Sequence, residues 1–235
     1  MNKQELALKK QGTEKSVSLM EQVYGSLRAD ILTCKLRPGQ PLNEAEIAEQ
    51  FEISKTPVRE ALAVLRQEGL VIAYPRRGYQ VTPITFADMD ELFDVRIVLE
   101  AGAAELACIR LTEEQIAKLR SMADGEYDTS EEQSLTAFVR RNREFHMAIV
   151  EATGNSRLVD LMTRQLDALE RFFILGAQLR DVNSETSISH REIVETLVRR
   201  DPVAAREIVA RHNEQTRQGL FRSLATGRGY DLINL

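Results

Sequence analysis

Residues Ser54–Leu70, SKTPVREALAVLRQEGL, decide the fold. Val58, Ala61, Leu62 and Leu65 recur at spacings of three and four, the period of one helix face. Lys55, Arg59, Ala63, Arg66 and Gln67 fall toward the other side. Thr56 followed by Pro57 reads as an N-cap with proline at the first helical position. Gly69 reads as the stop, because glycine accepts the left-handed backbone that closes a helix. The expected element is a rod from Thr56 to about Glu68, apolar on one side and basic on the other.

Working outward, Val23, Leu27, Ile31 and Leu32 give Ser18–Thr33 a helical period, and KLRPGQPL then breaks the chain. Glu44–Phe51 reads as a short second helix with Ile47, Ala48 and Phe51 inward, and Glu52-Ile53-Ser54 as a tight connection to the rod. Downstream, LVIAY and GYQVT are two β-prone runs joined by Pro75-Arg76-Arg77. Helix, short turn, helix and hairpin make a winged helix-turn-helix. Arg59 sits one turn inside the rod, where a groove-inserted helix meets base edges, and its fork suits guanine O6 and N7. Ser54, Lys55 and Thr56 lie at a helix N-terminus, whose free N–H groups favour phosphate. Arg66 extends the basic face, and Arg76, Arg77 and Gly78 form a wing tip suited to an adjacent minor groove. The competing reading is a solvated basic helix on a generic three-helix domain; turn, cap and wing together outweigh it.

The chain has 235 residues, 43% hydrophobic and 29% charged, room for one large domain or two modest ones. No stretch approaches 18 uncharged apolar residues, so no membrane span is expected. The N-terminal MNKQELALKKQGTEK lacks the apolar core of a secretory signal. Two cysteines, Cys34 and Cys108, lie far apart; a disulfide framework is not expected, and a reducing cytoplasm is the expected compartment. Net charge is −5, but it is unevenly spread. Residues 1–84 hold 12 basic and 10 acidic side chains, and 85–235 hold 19 and 26. The basic surplus therefore falls on the half that carries the helix-turn-helix.

Five of the six prolines precede residue 84, and long amphipathic segments follow it. The expected architecture is mainly α: a winged helix-turn-helix with a small β-hairpin over 18–84, then an all-helical bundle of about six helices over 85–226. Residues 1–17 are expected to be flexible and 227–235 to be a tail. Thr85–Asp88 and Thr112–Gln115 read as capping boxes, and Asp201-Pro202 as the start of the last helix.

The three histidines, His146, His190 and His212, all fall in the helical half, each on an apolar face of a different helix. Asn142 precedes His146 by one turn. A lone histidine is an ordinary core residue, but three helices aiming imidazoles at one bundle interior suit a divalent metal such as Zn²⁺, Ni²⁺ or Fe²⁺. Arg96 and Glu100 are one turn apart on the inward face of the first bundle helix. They make either an internal ion pair or a site in which Arg96 grips a ligand carboxylate.

The run SKTPVREALAVLRQEGL with RRGYQV resembles the GntR family of bacterial transcription regulators over about Glu21–Pro83. The resemblance implies a two-fold dimer on operator DNA, the third helix in the major groove. It assigns base contacts to Lys55 and Arg59, with Ser54, Thr56 and the wing supporting them. Lys55 stands where the family usually has arginine, which loosens readout there. Ala45 stands where some members place an arginine contact. FDVRIVLEAGAAELA (93–107), NREFHMAIVEATGNSRLVDLM (142–162) and SHREIVETLVRRDPVAAREIVARH (189–212) resemble the FCD effector domain of the FadR subfamily. That resemblance implies a metal on Asn142, His146, His190 and His212, with Asn142 in place of the family's aspartate. It also implies a carboxylate effector on Arg96, and the expected effector site takes in Glu100 and Asn142 as well.

Taken together these readings predict a DNA-binding regulator, not an enzyme, whose operator affinity is set by a small carboxylate in the helical half. In the family such regulators are usually repressors, and the effector acts by shifting the relative placement of the dimer's two DNA-binding domains. The alternative is a metal-dependent helical hydrolase or lyase fused to a DNA-binding module. It has no GxSxG, HExxH or glycine-rich phosphate loop to support it.

Overall fold

The computed structural model describes residues 17–123, 132–179 and 183–225. The expectations for residues 1–16 and for the tail at 227–235 lie outside the described residues. The chain divides into two compact units. Among the described residues, one takes in 17–30 together with Gly39–Thr82; the other takes in Ile31–Pro38 and those from Pro83 onward.

The first unit is built from α1 (Leu19–Leu32) as far as Asp30, β1 (Pro41–Leu42), α2 (Glu44–Gln50), α3 (Lys55–Gln67), β2 (Val71–Tyr74) and β3 (Gly78–Val81). Val58, Ala61, Leu62 and Leu65 of α3 are all fully buried, the face its periodicity marks. Two details differ from the sequence expectation. Helix α3 starts at Lys55 with Ser54 as its N-cap, and no side chain caps it; Pro57 is the third helical residue. Proline fits there because the first-turn N–H groups have no intrahelical acceptor to lose. The hairpin is also a three-stranded antiparallel sheet in the order β1-β3-β2, with Leu42 opposite Tyr79 and Pro41 opposite Gln80. Pro41 looks like a breaker in the sequence, but on an edge strand its missing N–H costs no ladder bond.

Gly69 ends α3 at φ +74°. Its N–H donates to the Arg66 carbonyl at 3.0 Å, and Leu70 N–H donates to Leu65 at 2.9 Å. These are the paired bonds of a Schellman ending, and the Leu65 and Leu70 side chains are both buried.

The second unit holds six helices among the described residues. They are α4 (Phe86–Cys108), α5 (Glu113–Ala123), α6 (Glu132–Glu151), α7 (Ser156–Leu179), α8 (Asn183–Val198) and α9 (Pro202–Leu224). Thr85 and Asp88 form a reciprocal capping box at α4. Thr112 and Gln115 do the same at α5, with bonds of 2.9 and 3.2 Å. Asp201 accepts from the Val203 and Ala204 N–H groups ahead of α9. Each signal is local, so each is legible in sequence. The main core joins Phe145, Ile149, Ile193, Leu197 and Val209 from α6, α8 and α9 with the end of α4 and the inward face of α5, Ile116, Leu119 and Ala123. Among the described residues no helix is long and apolar enough to cross a membrane.

A side chain placed at Gly69 would meet no atom within 4 Å, so only the backbone conformation resists it. Gly69→Ala is expected to destabilise the protein by about 1–2 kcal/mol, the cost of a left-handed non-glycine residue. Chemical denaturation of the two proteins measures the difference.

Candidate functional sites

The first unit turns one basic surface outward. Ser54, the N-cap of α3, and Lys55, Thr56, Arg59 and Arg66 along it are all exposed, off its buried face. Arg76, Arg77 and Gly78 are exposed at the tip of the β2–β3 turn, which the Arg77 N–H closes onto the Tyr74 carbonyl. Arg76 is held at φ +65°, a left-handed conformation unusual for a side-chain-bearing residue. Gly78 has a structural reason of its own: at φ +83° an added Cβ would stand 3.2 Å from the Leu42 carbonyl oxygen. Arg59 is not alone on this surface. Its Nε donates to Glu44 Oε2 at 2.7 Å, joining α3 to the first residue of α2. Glu44 was not among the expected site residues; it lies 15 positions from Arg59, and no helical period connects them.

The second unit encloses a polar centre. Arg96 and Glu100 of α4 are both fully buried, with Arg96 Nε donating to Glu100 Oε2 at 2.8 Å. The internal ion pair is therefore present. It does not exhaust the arginine: Nη1 and Nη2 are buried without a partner. The guanidinium lies 5.3 Å from the Phe173 ring centre and 5.7 Å from that of Phe93, a cation–π setting that helps hold a charge away from water. Asn213 Nδ2 donates to Glu100 Oε2 at 2.7 Å, and His146 Nδ1 faces Glu100 Oε1.

His146 from α6, His190 from α8 and His212 from α9 meet beside this pair. Their rings are 5.1–5.2 Å apart, centre to centre, and one nitrogen from each lies within 4.8 Å of the others. His190 stacks on Phe145 at 4.0 Å, and His212 Nδ1 sits 3.1 Å from the Ser189 hydroxyl. With Nδ1 of His146 turned to Glu100 and Nδ1 of His212 turned to Ser189, each ring keeps Nε2 for the centre. That is how outer-shell groups orient metal-binding imidazoles. Nε2 of both His146 and His190 is buried without a partner. The donor set and these orphaned nitrogens fit a divalent metal.

Asn142 does not join the cluster's hydrogen bonds but lines the adjoining cavity, of about 1060 Å³. Arg96, His146 and His212 form part of its polar wall, with Glu192 and Arg222 also lining it; Phe138, Val139 and Phe173 form part of its apolar wall. Asn213 and Ser189 were missed by sequence reasoning. Each is the immediate chain neighbour of a histidine, but adjacent helix positions point in different directions, so adjacency alone gave no signal.

The electrostatics follow from burial. Burial alone would raise the Glu100 carboxyl, but the Arg96 guanidinium and His146 outweigh it and hold Glu100 well below the usual carboxylate range. Burial lowers His146, although Glu100 opposes it. Burial, then the neighbouring imidazoles, keep His190 and His212 well below the ordinary histidine value. All three rings are therefore neutral near pH 7, the state in which imidazole binds metal. Neither thiol is poised as a nucleophile: burial pushes Cys34 up to about 11 and raises Cys108.

A winged helix-turn-helix followed by a six-helix unit with a polar interior defines a DNA-binding transcriptional regulator with an accessory helical domain. The chain belongs to the GntR family of such regulators. The bacterial regulatory protein, gntR family, model matches residues 19–81, and the FCD domain model matches 91–215. The chain is 30% identical over 209 residues to the HTH-type transcriptional regulator YdhC of Bacillus subtilis, covering 88% of this chain and 93% of that one. It is 26% identical to the HTH-type transcriptional repressor RspR of Escherichia coli, covering 83% and 86%. The solved structure of E. coli McbR/YncC has the same fold, with a TM-score of 0.67 at 22% identity, over 88% of this chain and 98% of that one. Its relatives and both family models are those of regulators, and the enzyme alternative finds no support among them.

The depressed histidines make stability depend on pH. In the unfolded chain they take up protons near pH 6.5; in the folded protein they do not until lower pH. The unfolded state thus binds more protons just below 6.5, and stability falls as pH falls from about 6.5. The melting temperature of the metal-free protein is expected to drop between about pH 7 and 5, and to drop less in His190→Phe. Equal slopes would show that His190 is not held neutral.

Proposed function

We propose that the protein is a homodimeric cytoplasmic repressor whose hold on operator DNA is set by a small carboxylate in the helical unit, bound together with a divalent metal. The observation that carries this reading is the buried Arg96. Its Nη1 and Nη2 lack partners although its charge is already matched by Glu100. Two parallel unfilled N–H donors at a cavity wall suit a carboxylate, which accepts from a guanidinium in bidentate fashion.

His146, His190 and His212 would hold the metal, with Asn142 at the cavity wall beside them. A bound Zn²⁺ or Ni²⁺ would supply a cationic Lewis-acid centre for an anionic oxygen. The neutral donors leave that charge uncompensated, and Glu100 is already engaged with Arg96, so an anionic effector complements the site. On the DNA side, Lys55 and Arg59 make base contacts. Ser54, Thr56 and Arg66 hold the backbone, and Arg76, Arg77 and Gly78 reach the minor groove. The name of RspR, a repressor, supports the negative sign of regulation. Whatever the effector, it must bind the DNA-competent and DNA-incompetent states with different affinity, since equal affinity shifts nothing.

The test is a thermal-shift screen of small carboxylates with and without Zn²⁺ or Ni²⁺. A ligand that prefers the folded state raises the melting temperature. The expected result is a carboxylate that raises it further when metal is present, together with metal content that falls in His190→Ala. A wild-type protein that takes up no metal at any loading would reassign the histidines to direct effector contacts.

A further inference from the structure

On the first unit, Glu44 is paired with the exposed Arg59 of α3. It is the first residue of α2, whose start is fixed by Asn43: Oδ1 accepts from the Ala45 N–H at 2.9 Å, and Nδ2 donates to Glu46 at 3.1 Å. The Glu44 side chain is 22% exposed, whereas that of Arg59 is 63% exposed. The acid is mostly covered and the arginine reaches outward from it. An ion pair in this setting adds little to folding stability. On a surface that meets a polyanion, the carboxylate also opposes every phosphate that approaches, whatever the sequence. A carboxylate in the first turn of α2 suits the helix dipole, but neither that nor general DNA affinity calls for its contact with Arg59.

The geometry of the guanidinium explains it. Arginine has one N–H on Nε and two on each terminal nitrogen. It can offer two parallel donors side-on, through Nε and one terminal nitrogen, or end-on, through Nη1 and Nη2. Glu44 accepts from Nε at 2.7 Å, which removes the side-on option. We propose that Glu44 is a specificity-determining positioning residue: by holding Nε of Arg59 it fixes the guanidinium as an end-on fork for one base edge, and its charge weakens non-specific binding. This inference rests on the reading of Arg59 as a base-contacting residue. A mobile arginine spreads its donors over phosphates and several base edges. A clamped one presents a single bidentate pattern, and its rotamer freedom is already spent before DNA arrives.

The test uses the full-length protein and DNA selected from a random pool by the wild type. Affinity for a selected duplex and for a scrambled duplex of the same composition is measured for wild type, Glu44→Ala, Glu44→Gln and Arg59→Ala. Circular dichroism confirms equal helicity. In Glu44→Ala the ratio of selected to scrambled affinity is expected to fall about ten-fold, with scrambled-duplex binding rising. Glu44→Gln keeps an oxygen that accepts from Nε but lacks the charge. It is expected to recover most of the selected-duplex affinity while scrambled-duplex binding stays raised. An unchanged ratio in Glu44→Ala, or equal gains on both duplexes, overturns the inference. Arg59→Ala with wild-type affinity and selectivity would overturn the recognition role of Arg59 itself.

Discussion

The helical unit depends on a fully buried arginine and the carboxylate that makes its burial tolerable. Removing an unpaired charge from water costs far more than one contact returns, so Arg96 without Glu100 would not remain inside a folded core. Even a good buried pair is poor stabilisation, because desolvation consumes most of the attraction and a hydrophobic pair of similar size does as well. The pair therefore explains little of the fold and much of the site. Glu100 Oε2 takes Arg96 and Asn213, and Oε1 faces His146, so one carboxylate orients members of α4, α6 and α9. Arg96 retains two donors that nothing in the described structure fills. The neutral imidazoles lie beside it, and Arg96, His146 and His212 all line the adjoining cavity.

The DNA-facing unit works by a different constraint. Helix α3 is held from behind by a continuous buried face, so its exposed residues do not carry the fold. Substitutions at the exposed Lys55, Arg59 or Arg66 are expected to leave the fold intact, whereas removing the charge of the buried Arg96 would strand Glu100 in the core. In the role we propose for Glu44, a surface ion pair of little weight in folding sets the direction in which the Arg59 fork points.

Much of this was legible in the sequence, and the limits have a physical pattern. Helix α3, the reciprocal caps at Thr85 and Thr112, and the Asp201-Pro202 start depend on residues within four positions of one another, so local chemistry exposes them. The gathering of three histidines was readable because each lies on an apolar face, and apolar faces must meet. Features that require two distant segments at a particular register were not. Strand β1 reads as a proline break until β3 lies beside it. The start of α3 shifts by two residues because proline is acceptable at any first-turn position. Asn213 on Glu100, Ser189 on His212 and Glu44 on Arg59 link different helices, and no period within one helix encodes its neighbour's.

The most direct test of the central claim, that the unfilled donors of a buried arginine receive the effector, is Arg96→Lys. Lysine keeps a charge for Glu100 but replaces the planar fork with a single ammonium. The variant is expected to fold with nearly wild-type helicity and to lose the rise in melting temperature that carboxylates give the wild type. An undiminished rise in Arg96→Lys would contradict the account and place the effector's anion elsewhere.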